Sequence, residues 1–152
     1  MSVLDLFGKD GAAANVDATD PHWAKTRQGH YNRLIFVDPE RLGLAGTPGI
    51  YIIWHAGVRP EWVYAAKCKD LAVDLDSIQD NDDVMYYDRQ GGLFVTWALV
   101  REEHHDGVLS YLFDNMNPLV ENPNPPKKKI KRLPVLLPTD SVEKKGKKAS
   151  KG

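Results

Sequence analysis

Three stretches of the chain are rich in the β-branched and aromatic residues typical of buried strands. Gly49–His55 is such a run, and Pro48 before it and Gly57 after it are residues that end strands. Glu61–Ala66 follows after a short turn, which predicts an antiparallel hairpin with the first run. Gly92–Val100 supplies the third strand. The pattern therefore predicts a small, mostly antiparallel sheet of three strands.

Two other stretches have the spacing of helices with one buried face. Leu71, Leu75 and Ile78 recur at positions i, i+4 and i+7, which predicts a helix over Asp70–Gln79. The Asp70 carboxylate at its start can accept hydrogen bonds from the free amides of the first turn. A second helix is predicted over Glu102–Asn115. Helices flanking an antiparallel sheet make the expected fold class α+β.

The remaining segments divide the chain into one domain with two polar ends. Residues 1–20 are predicted to be a disordered leader, apart from a short apolar island at Val3–Phe7, and residues 21–138 form the domain. Leu34–Val37 is expected to be a strand or an extended entry to the sheet. Leu133–Leu137 is apolar enough that it should pack back onto the domain. Residues 139–152 are predicted to be a disordered, lysine-rich tail.

Charge is distributed unevenly although the chain has a net charge of only −1. Residues 127–152 contain ten lysines and arginines against two acidic residues, a net charge of +8. Residues 1–126 contain 10 basic and 19 acidic residues, a net charge of −9. A basic segment attracts phosphate backbones, whereas an acidic body repels them on average. The cations that are candidates for binding nucleic acid are Lys127, Lys128, Lys129, Lys131, Arg132, Lys144, Lys145, Lys147, Lys148 and Lys151.

Length and composition limit the class of protein. The 152 residues are enough for one domain, and no apolar run is long enough to span a bilayer. The first residues lack the basic and apolar pattern of a secretory signal. Cys68 is the single cysteine and cannot form an internal disulfide, so we expect a structural thiol in a cytoplasmic protein.

Metal and nucleotide motifs are weak in this sequence. His104 and His105 are adjacent, so on a helix they point about 100° apart, and a solvated helix start is the favoured interpretation. The acidic stretch from Asp70 to Asp88 lacks the glycine and glutamate of a calcium loop in register. Glycine-rich phosphate loops are absent. We therefore expect no cofactor and no metal, with Asp106 as the only weak candidate ligand.

The tryptophans and tyrosines are a second candidate for contact with nucleic acid. Aromatic rings on a surface can stack on bases. Trp54, Trp62 and Trp97 lie within predicted strands, however, where packing in the core is the default interpretation.

One pair of motifs resembles a known family. Gly49–Tyr51 and Val63–Ala66 resemble the two-part signature of the GIY-YIG endonuclease domain, with Tyr51 and Tyr64 at its two tyrosine positions. The predicted order of helix, strand and helix that follows is also similar. Residues Ile52–Gly57 and Leu133–Pro138 look like those of a bacterial subgroup of small single-domain members. The resemblance covers about residues 49–138.

The resemblance also implies which residues a nuclease of this family would use. Its two tyrosines line the active site, an arginine contacts phosphate, and a glutamate holds one divalent metal ion. The alignment places Asp74 at the arginine position and Leu109 at the glutamate position. A carboxylate repels phosphate, and leucine cannot bind a hard cation. The resemblance therefore implies a vestigial cleft, whose members are Tyr51, Tyr64, His55, Asp74 and Leu109.

Three hypotheses about function follow. The favoured one is a non-catalytic binding module on a degenerate GIY-YIG-like fold, contacting a protein partner or, through its basic tail, nucleic acid. The second is a magnesium-dependent endonuclease with displaced ligands, and the third is an unrelated small α+β protein with a structural role. The partner, the oligomeric state and the pathway stay open.

Overall fold

The computed structural model describes residues 18–138, and its centre is a four-stranded antiparallel sheet. The strands lie in the order β1-β4-β2-β3, so the strand with the first tyrosine motif is central. The strands are β1 Asn32–Arg33, β2 Gly49–His55, β3 Glu61–Cys68 and β4 Leu93–Ala98. The predicted hairpin of β2 and β3 is confirmed by their antiparallel register, in which Gly49 pairs with Cys68 and His55 with Glu61.

Three α-helices and several 3₁₀ turns accompany the sheet within the described residues. The α-helices are α1 Leu71–Ser77, α2 Asp82–Met85 and α3 His105–Asn115, and the 3₁₀ turns are Leu34–Phe36, Ile78–Asp80, Tyr86–Arg89 and Glu102–His104. Asp70 caps α1 as predicted, because its carboxylate accepts hydrogen bonds from the amides of Ala72 and Val73. The prediction of an α+β fold is confirmed.

The two faces of the sheet bury separate apolar clusters. We call them the Tyr51 face and the Ile52 face, because consecutive residues of β2 point to opposite sides. Helices α1 and α2 cover the Tyr51 face through Leu71, Leu75 and Val84. Helix α3 covers the Ile52 face, and its cluster includes Ile50, Ile52, Val108, Leu109, Leu112 and Met116. The sheet is therefore the middle one of three layers.

The expected count of three strands is wrong, because β1 adds a fourth. Its two polar residues, Asn32 and Arg33, pair with Val95 and Phe94 on β4, and such a short polar strand leaves no hydrophobic pattern. The apolar run Leu34–Phe36 forms a 3₁₀ turn instead of a strand. Leu34 is fully buried, whereas the other two side chains are exposed. Four apolar residues in a row therefore indicated extended structure, where Leu34 enters the core and Val37 packs against it only partly buried.

The apolar strip Leu133–Leu137 packs back onto the domain as predicted. Val135 is buried in the cluster of the Ile52 face, and it pairs in parallel with Thr19. The Nε1 of Trp23 donates to the Leu136 carbonyl at 2.6 Å. Thr19 thus takes part in the domain, although the sequence placed it in the leader.

The predictions for residues 1–17 and 139–152 lie outside the described residues. None of the helices in residues 18–138 combines the length and the apolar composition that a bilayer crossing requires.

Candidate functional site

Tyr51, Tyr64 and Asp74 meet at one place on the Tyr51 face. Tyr51 lies on β2 and Tyr64 on the neighbouring β3, and their ring centroids are 6.1 Å apart. Asp74 lies on α1, which packs above this face. The Tyr51 hydroxyl donates a hydrogen bond to Asp74 Oδ2 at 3.2 Å. The structure therefore brings together three of the five residues that the sequence assigned to a cleft.

Burial keeps all three of these groups in their protonated forms over a wider pH range than usual. The pKa of Tyr51 is raised well above its ordinary value, first by burial and then by the nearby charge of Asp74. The pKa of Tyr64 is raised for the same two reasons. Burial also raises the pKa of Asp74, although the hydrogen bond from Tyr51 acts in the opposite direction. Neither phenol is prepared to lose its proton near neutral pH.

Cys68 lies at the end of β3 beside these groups. Its side chain is buried, and Sγ lies 3.7 Å from the Gly49 carbonyl oxygen. Burial and the charge of Asp74 raise the pKa of this thiol to about 12. The thiolate is the nucleophilic form of cysteine. The expected structural thiol is therefore what the structure contains.

An open cleft of about 400 Å³ adjoins Asp74 at this end of the sheet. Two lysines of the β3 end, Lys67 and Lys69, line it together with side chains from both covering layers. Lys67 Nζ is already paired with Asp106 Oδ1 at 2.5 Å. The lining residues are Lys67, Cys68, Lys69, Asp74, Glu102, His105, Asp106 and Asn124. These two lysines were not among the candidate residues chosen from the sequence. Their positions on either side of Cys68, at the end of a predicted strand, could have indicated them.

The histidine pair at the start of α3 differs from its predicted environment. His104 is exposed, as a solvated helix start requires, but His105 is buried. The Nε2 of His105 lies 2.6 Å from the Val100 carbonyl oxygen, so this nitrogen carries the proton and donates. The expectation of a solvated pair is therefore wrong for His105, because a backbone acceptor satisfies the ring.

Leu109 is not part of the cleft, which corrects the alignment of that residue. It is fully buried in the cluster of the Ile52 face, whereas Tyr51 belongs to the cluster of the opposite face. The sheet therefore separates the two side chains. Counting back from Pro118 located Leu109 along its helix, but the count does not determine which face of the sheet the helix covers.

His55 is also remote from the cleft, at the hairpin end of β2. Its Nδ1 accepts from the Gly57 amide at 3.1 Å, so Nε2 carries the proton and donates to Glu61 at 3.0 Å. Its ring is almost fully buried and stacks on Tyr87. Every polar atom of the His55 ring is thus used to hold the hairpin turn, and the side chain is structural.

Asp106, the weak candidate for a metal ligand, is committed to its ion pair with Lys67. Within residues 18–138, no three His, Cys, Asp or Glu side chains are placed to share a metal ion.

The first cluster of basic residues lies on the surface that precedes the apolar strip. All five cations of residues 127–132 are exposed. Arg132 Nε donates to Asp114 Oδ2 at 2.8 Å, which anchors this residue to the end of α3. The lysines from Lys144 onward lie outside the described residues.

Comparison of the chain with protein-family models, with curated proteins and with solved structures found no match in any of the three.

Proposed function

We propose that this protein is a non-catalytic binding module whose fold resembles a GIY-YIG endonuclease domain. The observation that carries the proposal is the hydrogen bond between Tyr51 and Asp74. At the position where the resemblance implies a cation for the phosphate, the chain has a carboxylate that already accepts from the tyrosine. A phosphate approaching Tyr51 would meet negative charge where its transition state needs positive charge.

The metal position supports the same proposal. Phosphodiester hydrolysis of this kind needs a divalent ion that polarises the phosphoryl oxygen and stabilises the leaving group. Helix α3, on which the resemblance implies the glutamate, packs on the face of the sheet opposite Tyr51, where Leu109 is buried. Asp106, the nearest substitute, is neutralised by Lys67. At the positions that the resemblance implies, the described residues therefore supply neither the cation nor the metal ligand, which supports a non-catalytic module.

A cleavage assay tests the proposal directly. The purified full chain is incubated with duplex, single-stranded or branched DNA, with magnesium or manganese present. We expect no cleavage above that of a Tyr51→Phe control, because the cation and the metal ligand are missing. Metal-dependent cleavage that Tyr51→Phe abolishes would overturn the proposal and favour a nuclease with displaced ligands.

The partner of the module is proposed from its charge. The acidic body favours a protein partner, since it repels phosphate chains on average. The exposed basic residues of 127–132 and the lysines of residues 144–151 are the proposed contacts for nucleic acid. Cations of this kind neutralise phosphates but do not distinguish base edges, so this binding should be independent of sequence.

Salt dependence tests the basic segment. We expect the affinity of the full chain for nucleic acid to fall steeply between about 50 and 200 mM salt, as it does when several phosphates release counterions. Glutamine at Lys127, Lys128, Lys129 and Lys131 should remove a large share of the affinity, and deletion of residues 144–152 another share. Fluorescence anisotropy with labelled oligonucleotides measures both. Unchanged, salt-insensitive binding after both changes would contradict the role of the basic segment.

A further inference from the structure

A row of stacked side chains crosses all four strands near the hairpin end of the Ile52 face. Arg33 of β1 is the register partner of Phe94 on β4, which is the partner of Trp54 on β2, and Trp54 is the partner of Trp62 on β3. The rings of Trp54 and Phe94 stack with centroids 6.0 Å apart. We call these four residues the arginine–aromatic row. The sheet register aligns them, although they are distant in the sequence.

Arg33, the cation at the end of this row, has no anionic partner in residues 18–138. Its guanidinium carbon lies 5.4 Å from the Phe94 centroid and 6.0 Å from that of Phe36. Its Nε is buried and makes no hydrogen bond. Among the described residues, no carboxylate lies within ion-pair distance of it. An arginine with no carboxylate partner keeps its positive charge available to an anion from outside the chain.

Exposed apolar side chains lie beside Arg33. Phe36 is 75% exposed, although it stacks on the guanidinium, and the neighbouring Ile35 is also exposed. An exposed aromatic ring beside an unpaired arginine is the combination that holds a nucleobase and its phosphate.

The nearby turns add positive charge to this end of the molecule. Arg59 and Arg89 are exposed on the turns that flank Gly91, and neither has an ion pair within residues 18–138. The acidic residues that adjoin these turns, Glu61 and Asp88, accept hydrogen bonds from His55 and from the Leu93 amide. Arg59 and Arg89 therefore offset these two carboxylates, although Asp38 and Glu40 add exposed negative charge after Phe36.

We propose that the surface of Arg33 and Phe36 binds single-stranded nucleic acid. One base stacks on the Phe36 ring, and an adjoining phosphate accepts hydrogen bonds from the Arg33 guanidinium. A single strand carries a flat base next to every phosphate, whereas in a duplex the bases are already stacked and paired. An acidic peptide would satisfy Arg33 but leave Phe36 without a flat partner. The inference goes beyond the proposed function, because it places a specific contact on the folded domain instead of the basic segment.

The test uses the full chain with glutamine in place of the nine lysines of residues 127–151, which removes the competing basic segment. Binding of labelled oligothymidylate is measured by fluorescence anisotropy at about 50 and 200 mM salt. Phe36→Ala and Arg33→Gln should each weaken binding about tenfold, the usual size of one stacking contact. Arg33→Lys, which keeps the charge and loses the planar group, should weaken it as well. One phosphate contact predicts a loss of only about threefold between the two salt concentrations.

Matched controls separate this contact from general surface effects. Leu42→Ala removes another exposed apolar side chain, and Arg101→Gln removes an exposed arginine elsewhere, so neither should change binding. Circular dichroism and thermal melting verify that each variant is folded. Equal binding by all folded variants would overturn the proposal, as would equal competition by duplex DNA or by polyglutamate. The cleavage assay does not depend on Arg33 or Phe36. The proposed function and the proposed contact can therefore be contradicted separately.

Discussion

The two ends of the sheet differ in how their polar groups are satisfied. At the end with the tyrosine motif, Tyr51 donates to Asp74 and Lys67 is paired with Asp106. At the hairpin end, Arg33 has a buried donor without an acceptor, and exposed aromatic surface lies beside it. The polar groups of the motif are therefore satisfied within the fold, whereas the charge of Arg33 has no carboxylate partner in residues 18–138, which is why we propose a ligand there.

The largest expected effect is a loss of stability on substitution of Leu109. It tests whether this side chain lies in the core of the Ile52 face or beside Tyr51. Leu109→Glu should unfold the domain or cost several kcal/mol, because it places an unpaired carboxylate in an apolar cluster. Leu109→Ala should cost about 2–5 kcal/mol through the cavity it leaves. Urea unfolding followed by tryptophan fluorescence measures both.

Asp74→Arg is the matched change on the cleft side and should leave the domain folded, because Asp74 lines an open cleft. If Leu109→Glu were as stable as the parent chain, the side chain would have to lie outside the core, and its assignment to the Ile52 face would be wrong.

An intermediate effect is expected at the hairpin end from Gly92→Ala. Gly92 has φ +91°, and a Cβ there would overlap the guanidinium of Arg33. The backbone strain should cost about 1–2 kcal/mol, and displacement of Arg33 should also weaken binding of single strands. Thermal unfolding and anisotropy measure the two effects.

Gly29→Ala is the control for Gly92→Ala, since Gly29 has φ +85° with open space around its Cβ position. Gly29→Ala should lose stability through the same backbone strain and leave the binding of single strands unchanged. A loss of binding in both variants would mean that the effect does not pass through Arg33.

The smallest expected effect is a pH dependence at the motif end. Because the pKa of Asp74 is raised above 3.8, the folded state holds this proton more tightly than the unfolded state does. Stability therefore falls as pH rises through the interval between 3.8 and the raised value. Asp74→Asn removes this loss of stability. The free energy of unfolding of the variant should therefore rise relative to that of the parent chain from acid to neutral pH, by less than about 1 kcal/mol after solvent screening.

Asp76→Asn is the control for the pH effect, because Asp76 is exposed on the same helix. Denaturant midpoints measured at several pH values compare the two variants. A gain of equal size for Asp76→Asn would show that net charge, and not the burial of Asp74, is the cause.

The features that could be predicted from sequence are those encoded locally. The hairpin of β2 and β3 and the Asp70 cap follow from side-chain periodicity and from turn and cap residues. The position of Asp74 beside Tyr51 follows from the alignment. The fourth strand could not be predicted, because Asn32 and Arg33 become a strand only by pairing with β4.

The misplacement of Leu109 and the unnoticed role of Arg33 share one physical cause. The alignment locates Leu109 along its helix, but it does not determine which face of the sheet that helix covers. The contact between Arg33 and Phe94 depends on the register between strands that are distant in the chain. Long-range arrangement of this kind is decided by the packing of all layers together, which a local pattern does not contain.

The parallel pairing of Thr19 with Val135 has a consequence for folding during synthesis. The Trp23 indole bonds to a carbonyl 113 residues further along the chain, and Val135 completes the apolar cluster beneath α3. The Tyr51 face needs no residue after Val120 for its cluster. A ribosome-bound chain can therefore complete the Tyr51 face before this strip emerges, while the part of the Ile52 face that Val135 covers stays exposed to solvent and to chaperones until then.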